Sequence, residues 1–204
     1  MNRILSVSFA VVLLGLAGGA VQADLLMNSG YESAIMMSWS PENETTNWFG
    51  WGDVEAVGSG WKTPHSGSQT LVMKNWLGGG DGVEQKPSVT ADLGYDFSFY
   101  SLYDGGYDGA LSVQVRWLDS GGAQIASNTV AWNQGSADTW AYTSIRVTSV
   151  LSSARAEINF SSSGGTAGAL YLDDVSFAAI PEPTTAALFG FVGLGVLALR
   201  RFKR

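Results

Sequence analysis

Apolar and polar residues alternate with a period of two along most of the chain. Leu111, Val113, Val115 and Trp117 alternate with Ser112, Gln114 and Arg116. Ala154, Ala156, Ile158 and Phe160 alternate with Arg155, Glu157 and Asn159, and Tyr171, Asp173, Val175 and Phe177 form a third row. Such rows predict strands with one buried face. Further strands are expected at about 54–58, 70–75, 83–92, 94–103, 123–131 and 140–148. Asp119-Ser120-Gly121-Gly122 reads as a hairpin turn and Ser161–Gly165 as a looser loop. The stretch 36–52 carries no strand pattern and is expected to be a long loop. Many short strands, Gly-rich turns and no helical period predict an all-β protein, a β-sandwich of the jelly-roll type.

Both ends break this pattern. Residues 1–23 combine Arg3, an apolar run over 4–20 and Val21-Gln22-Ala23. They read as a signal-peptide helix cleaved before Asp24, or, alternatively, as an uncleaved anchor. Residues 181–204 open with Pro181-Glu182-Pro183. An uncharged stretch over 184–199 follows, then Arg200, Arg201, Lys203 and Arg204. The stretch approaches the length of a transmembrane helix, and the basic cluster keeps its end cytoplasmic. The expected topology is a domain at 24–180 outside and a tail inside.

Composition narrows the partners. Residues 24–180 hold six basic and seventeen acidic residues, a net charge of −11. That repels phosphate backbones, so nucleic acid is not expected. Cations and neutral polysaccharides are compatible with it. With no cysteine in the chain, disulfides, thiolate metal sites and cysteine catalysis are excluded. His65 is the single histidine, and no nucleophile–base pair or selected carboxylate pair emerges. No catalytic residue is expected.

Three landmarks then occur in order: Asn28-Ser29-Gly30-Tyr31-Glu32, His65-Ser66-Gly67, and Leu172-Asp173-Asp174-Val175. This resembles the carbohydrate-binding-module jelly rolls with a galactose-binding-like sandwich, with Tyr31 where a Phe is usual. The resemblance implies a structural calcium site built from Glu32, Asp173 and the turn around Ser66. Hard oxygen donors suit that ion; the alternative is a hydrogen-bonded pair of structural acids without metal.

The tail separately resembles PEP-CTERM proteins, in its Pro181-Glu182-Pro183 motif, apolar helix and Arg200-Arg201 end. That resemblance implies cleavage by an exosortase-type sorting protease. It also implies signal peptidase and the general secretion machinery as earlier partners. The setting implied is a diderm bacterium that makes extracellular polysaccharide. The protein would sit transiently in the inner membrane, then at the cell surface or in the extracellular matrix.

Eight tryptophans and seven tyrosines supply the last signal. Trp48, Trp51, Trp76, Tyr103 and Tyr107 fall in loop-like sequence and are the candidate sugar platform. Trp117 and Trp140 fall in strand patterns and are expected in the core. The alternative is that all of them pack under loops. The leading expectation is a non-catalytic module that binds calcium and polysaccharide. A purely structural matrix protein and a polysaccharide-active enzyme are the alternatives.

Overall fold

The structure, a computed structural model, describes residues 23–35, 47–74 and 80–181. The segments 1–22 and 182–204, read above as the signal peptide and most of the sorting tail, lie outside the described residues.

Ten strands form two antiparallel sheets of five. They are β1 Phe49–Trp51, β2 Val54–Gly58, β3 Gln69–Lys74, β4 Asp81–Gln85 and β5 Gly94–Tyr103, followed by β6 Ala110–Leu118, β7 Gln124–Val130, β8 Ala141–Thr148, β9 Arg155–Ser163 and β10 Ala169–Ala179. Sheet I runs β1-β4-β9-β6-β7 and sheet II runs β2-β3-β10-β5-β8. The all-β sandwich expected from the alternation is the observed fold.

The two sheets bury one shared core. Sheet I contributes Val83, Val113, Val115, Trp117, Ile158 and Phe160; sheet II contributes Leu71, Met73, Phe97, Phe99, Leu172 and Phe177. The aromatic rings meet edge to face as well as stacked, for example Phe99 on Phe160 at 5.0 Å and 87°. Asp119 Oδ1 accepts the amides of Gly121 and Ala123, both at 2.9 Å, and so closes the β6–β7 hairpin.

Three local expectations change. The strand expected at 83–92 stops at Gln85, because Pro87 two residues on lacks a ladder donor. The stretch expected to be a loop up to residue 52 includes the short edge strand β1. The third alternating row is broken by a bulge in β10 between Asp173 and Ser176. Asp174 adopts φ 46° there. The extra residue shifts the alternation. Val175 and Phe177 point into the core with Leu170 and Leu172, and Asp173 points out of it, on the side of Tyr171.

That outer side of sheet II carries a second small cluster of Val57, Val72, Leu102, Ala169 and Tyr171, with Trp140 packed on it. The loop 59–68 folds over part of this face. His65 stacks on Tyr100 at 3.5 Å and 17°, and Trp140 Nε1 donates to the Thr63 carbonyl. Trp117 is in the main core as expected; Trp140 instead packs on the outer cluster.

Candidate functional site

The three landmark segments converge. Asp173 is fully buried beneath the loop 59–68. Its Oδ2 accepts the amides of His65 at 2.8 Å and Ser66 at 3.3 Å, and its Oδ1 accepts the Asp174 amide. Glu32 accepts the Ser68 amide and the Ser68 hydroxyl, the latter at 2.6 Å. Asp174 takes the Ser66 hydroxyl at 2.6 Å and stands 2.6 Å from His65 Nδ1. Three carboxylates thus hold one turn.

The electrostatics of this cluster are uneven. Hydrogen bonds from Ser68 hold the Glu32 carboxyl below its ordinary range. Burial pushes Asp173 the other way, to about 6, against the pull of the backbone amides it accepts. No cationic side chain pairs with Asp173 among the described residues. Burial, and then the charge of Asp173, also raise Tyr31, whose buried hydroxyl has no hydrogen-bond partner among the described residues.

These residues suit a hard cation in donor type. Oxygens of Asp173 and Asp174 and the Glu32 side chain all lie within 3.8 Å of where a Cβ on Gly30 would stand. Among the described residues no group of three acidic or imidazole side chains is placed to hold an ion unaided. Backbone carbonyls and water would have to complete the six to eight oxygens calcium takes.

Gly67 shows how tight the anchor is. Its φ is +61°, and a Cβ there would stand 1.9 Å from Glu32 Oε1. Gly67→Ala is therefore expected to cost about 1–3 kcal/mol through backbone strain and loss of the Glu32 bonds. A thermal melt checks it, and an unchanged midpoint would count against the anchor.

A second constellation lies on the outer face of sheet I. Cross-strand register places Phe49 beside Glu84, Glu84 beside Asn159, and Asn159 beside Gln114. Two residues along in one direction, Trp51 lies beside Gly82; two residues along in the opposite direction, Arg116 lies between Glu157 and Ser127. Inward neighbours such as Val83, Ile158 and Val115 fill the core, so these side chains lie on the outer face of the sheet, where Glu157 and Asn159 are nonetheless buried. Trp51 lies directly over Gly82: a Cβ there would meet the indole at 2.1 Å. Only glycine leaves room for the ring against the sheet.

The polar members are linked. Asn159 Nδ2 donates to Glu84 at 3.1 Å, Arg116 Nη1 to Glu157 at 2.6 Å, and Arg116 Nε to Gln114 at 2.8 Å. Lys86 reaches Glu84 at 2.9 Å and Glu157 at 3.5 Å. Burial raises the Glu84 carboxyl, Lys86 opposes this, and the nearby Glu157 adds to it. The result is a row of amide, carboxylate and guanidinium groups, orientated by one another and bordered by the rings of Phe49 and Trp51, 6.4 Å apart. Such a surface can present aromatic faces and hydrogen-bond groups together.

The candidate platform aromatics separate. Trp51 lies on this face. Trp48 does not: it is fully buried, packed on Tyr31 and Phe160 with its indole N–H on the Asn28 carbonyl. It points inward because β1 alternates, and it is removed from the platform. Tyr103 and Tyr107 pack against the edge of the core, where the Tyr107 hydroxyl meets Ser162 at 2.8 Å. Trp76, Glu182, Pro183, Arg200 and Arg201 lie outside the described residues; Pro181, the last described residue, is exposed.

Phe49, Glu84, Gln114, Arg116, Glu157 and Asn159 were not singled out from sequence. The available signal was large polar side chains in the solvent rows of three strands. Their convergence depends on β6 and β4 both pairing with β9, a long-range arrangement that periodicity does not contain. The loop Asp104–Asp108 is structural: Asp104 accepts the amides of Gly106 and Ala169, and Asp108 those of Thr166 and Ala167.

No protein-family model matches the chain, and no curated protein does either. Solved structures match it in fold. TmCBM61, in complex with β-1,4-galactotriose, matches with a TM-score of 0.53 and 21% identity, over 78% of this chain and 99% of that one. A xylan-binding CBM22-1 domain from Xyn10C of Paenibacillus barcinonensis matches with a TM-score of 0.53 and 16% identity, over 79% and 97%. The enzymatically active domain of tailspike protein 4 from bacteriophage CBA120 matches with a TM-score of 0.56 and 18% identity, over 77% of this chain but 21% of that one. The described domain therefore has the jelly-roll sandwich fold found in carbohydrate-binding modules.

Proposed function

We propose that this chain is an exported, non-catalytic polysaccharide-binding protein of the bacterial cell surface or extracellular matrix. The outer face of sheet I is its glycan site. One observation carries this: Trp51 and Phe49 border a pre-linked polar row of Glu84, Asn159, Gln114 and Arg116 on a single sheet face. A sugar ring offers a C–H face to an aromatic ring and hydroxyls to amides and charged groups. The shared fold supports the same reading, since two of the matched modules are described as bound to galactotriose and as xylan-binding. Glu84 and Glu157 are held by Lys86, and Glu157 also by Arg116, which suits holding hydroxyls better than passing a proton. A glycan array probed with the full chain tests the proposal. Retention on at least one neutral polysaccharide is expected; retention on none would overturn it.

Calcium at Glu32, Asp173 and the Ser66 turn is the proposed structural cofactor. It would neutralise the buried Asp173 and fix the turn. Export through residues 1–23 and sorting through 181–204 by an exosortase-type protease complete the reading, supported by the order of Pro-Glu-Pro, apolar run and basic end. Mass spectrometry of the mature protein is expected to find neither segment. An intact C-terminal Arg-Arg-Phe-Lys-Arg would contradict the processing.

A further inference from the structure

We infer that the outer face of sheet II carries a second site for a neutral oligosaccharide, so that the domain is bivalent. Here β10, β5 and β8 lie side by side, and their register builds a groove. Ser176, Ser98 and Ser144 stand abreast across the three strands. Their small side chains form a low floor, and none of the three hydroxyls makes a hydrogen bond among the described residues. Two residues along, Tyr100 pairs with Tyr142 across the strands, with ring centroids 5.0 Å apart. Tyr142 is 49% exposed, while His65 stacked on Tyr100 backs the pair. Two residues the other way, Asp96 pairs with Arg146, with bonds of 3.0 and 3.4 Å. Between these walls lies an open groove of about 590 Å³, lined by Asp96, Ser98, Tyr142, Ser144 and Arg146 together with Phe97 and Ile145.

The chemistry selects the ligand class. An aromatic wall, a hydroxyl floor and an ionic wall with both donors and acceptors match a molecule with C–H faces and many hydroxyls. Arg146 is already neutralised by Asp96, and the domain is strongly acidic, so an anion is disfavoured. The floor has no apolar anchor of the kind a protein partner would bury. In assigning a glycan, this inference rests on the function proposed above.

The two sheets of a sandwich pack about 10 Å apart, so the two faces point in opposite directions. One molecule can then bridge two polysaccharide chains. Such bivalency tightens attachment to a matrix without further contacts.

Amide-resolved NMR titration of the full chain in a sugar-free detergent tests this, with β-1,4-galactotriose, xylohexaose and cellohexaose as probes. At least one probe is expected to shift two separate sets of amides: 49–51, 84, 114 and 157–159 on sheet I, and 96–98, 142–146 and 176 on sheet II. Ser144→Trp, which fills the groove from an exposed edge strand, is expected to abolish the second set and leave the first. Tyr142→Ala is expected to weaken the second set at least tenfold. Shifts confined to sheet I, or a second set that survives Ser144→Trp, would overturn the bivalent site and leave the first face standing. Shifts nowhere would overturn both.

Discussion

Trp48→Ala is expected to lower the unfolding free energy by about 3–5 kcal/mol, the range for deleting a large buried aromatic. In a domain of this size that is about 6–20 °C in melting midpoint. Trp48 is fully buried between Tyr31 and Phe160, so little around it can collapse into the vacated space. The Asn28 carbonyl would also lose the indole donor that stands 3.1 Å away while keeping the Tyr31 amide at 3.0 Å, and the lost hydrogen bond adds to the cost. Folded Trp48→Ala protein should still bind glycan with the native affinity, because Trp48 does not reach the outer face. Trp51 stands three residues later and is expected to behave in the opposite way. Denaturant unfolding of both variants checks the contrast. A Trp48→Ala loss under 1 kcal/mol would mean the residue is not in the core.

Removing calcium is expected to have the second large effect. At a free concentration one hundred times its dissociation constant, the proposed ion would add about 2.7 kcal/mol to stability, or roughly 5–10 °C. The pH dependence should reveal why. In the metal-free fold Asp173 sits at about 6, against about 3.9 for an unfolded aspartate. Between those values the folded state binds more protons than the unfolded one, so its stability falls as pH rises. The shift of about two units corresponds to about 3 kcal/mol in full, of which about 2 kcal/mol is lost between pH 4 and 6.5. Glu32 is held low instead and pulls the other way, losing its contribution as the medium becomes more acid. In EGTA, melts of native protein and of Asp173→Asn are expected to differ by this slope, which calcium should suppress. Equal slopes in EGTA, or a native midpoint indifferent to calcium, would contradict the proposed ion site.

How much could be read from residues alone follows from the range of the forces involved. Alternation is local, so β5 was placed at its observed ends and most other strands within two or three residues. The convergence of Glu32, Ser66 and Asp173 was legible because three separated motifs resembled one known arrangement. The direction of Asp173 was not. A one-residue bulge reverses a face, and nothing in Tyr-Leu-Asp-Asp-Val announces it. Trp48 leaves the platform for a related reason. Trp48 and Trp51 differ in environment because β1 is a three-residue strand whose pairing with β4 sets which ring is inside. Glu84, Gln114 and Asn159 each looked like an ordinary solvent residue; only the order β4-β9-β6 assembles them.

The central claim is that sheet I presents a glycan-binding face built around Trp51. Calorimetric titration of the full chain with a polysaccharide that it retains, compared with Trp51→Ala and with Trp61→Ala, tests it most directly. Trp61 is another exposed indole, on the loop that covers sheet II. Trp51→Ala is predicted to weaken binding at least tenfold, about 1.4 kcal/mol, with the melting midpoint nearly unchanged and Trp61→Ala near native. Native affinity in Trp51→Ala, or an equal loss in Trp61→Ala, would contradict the account.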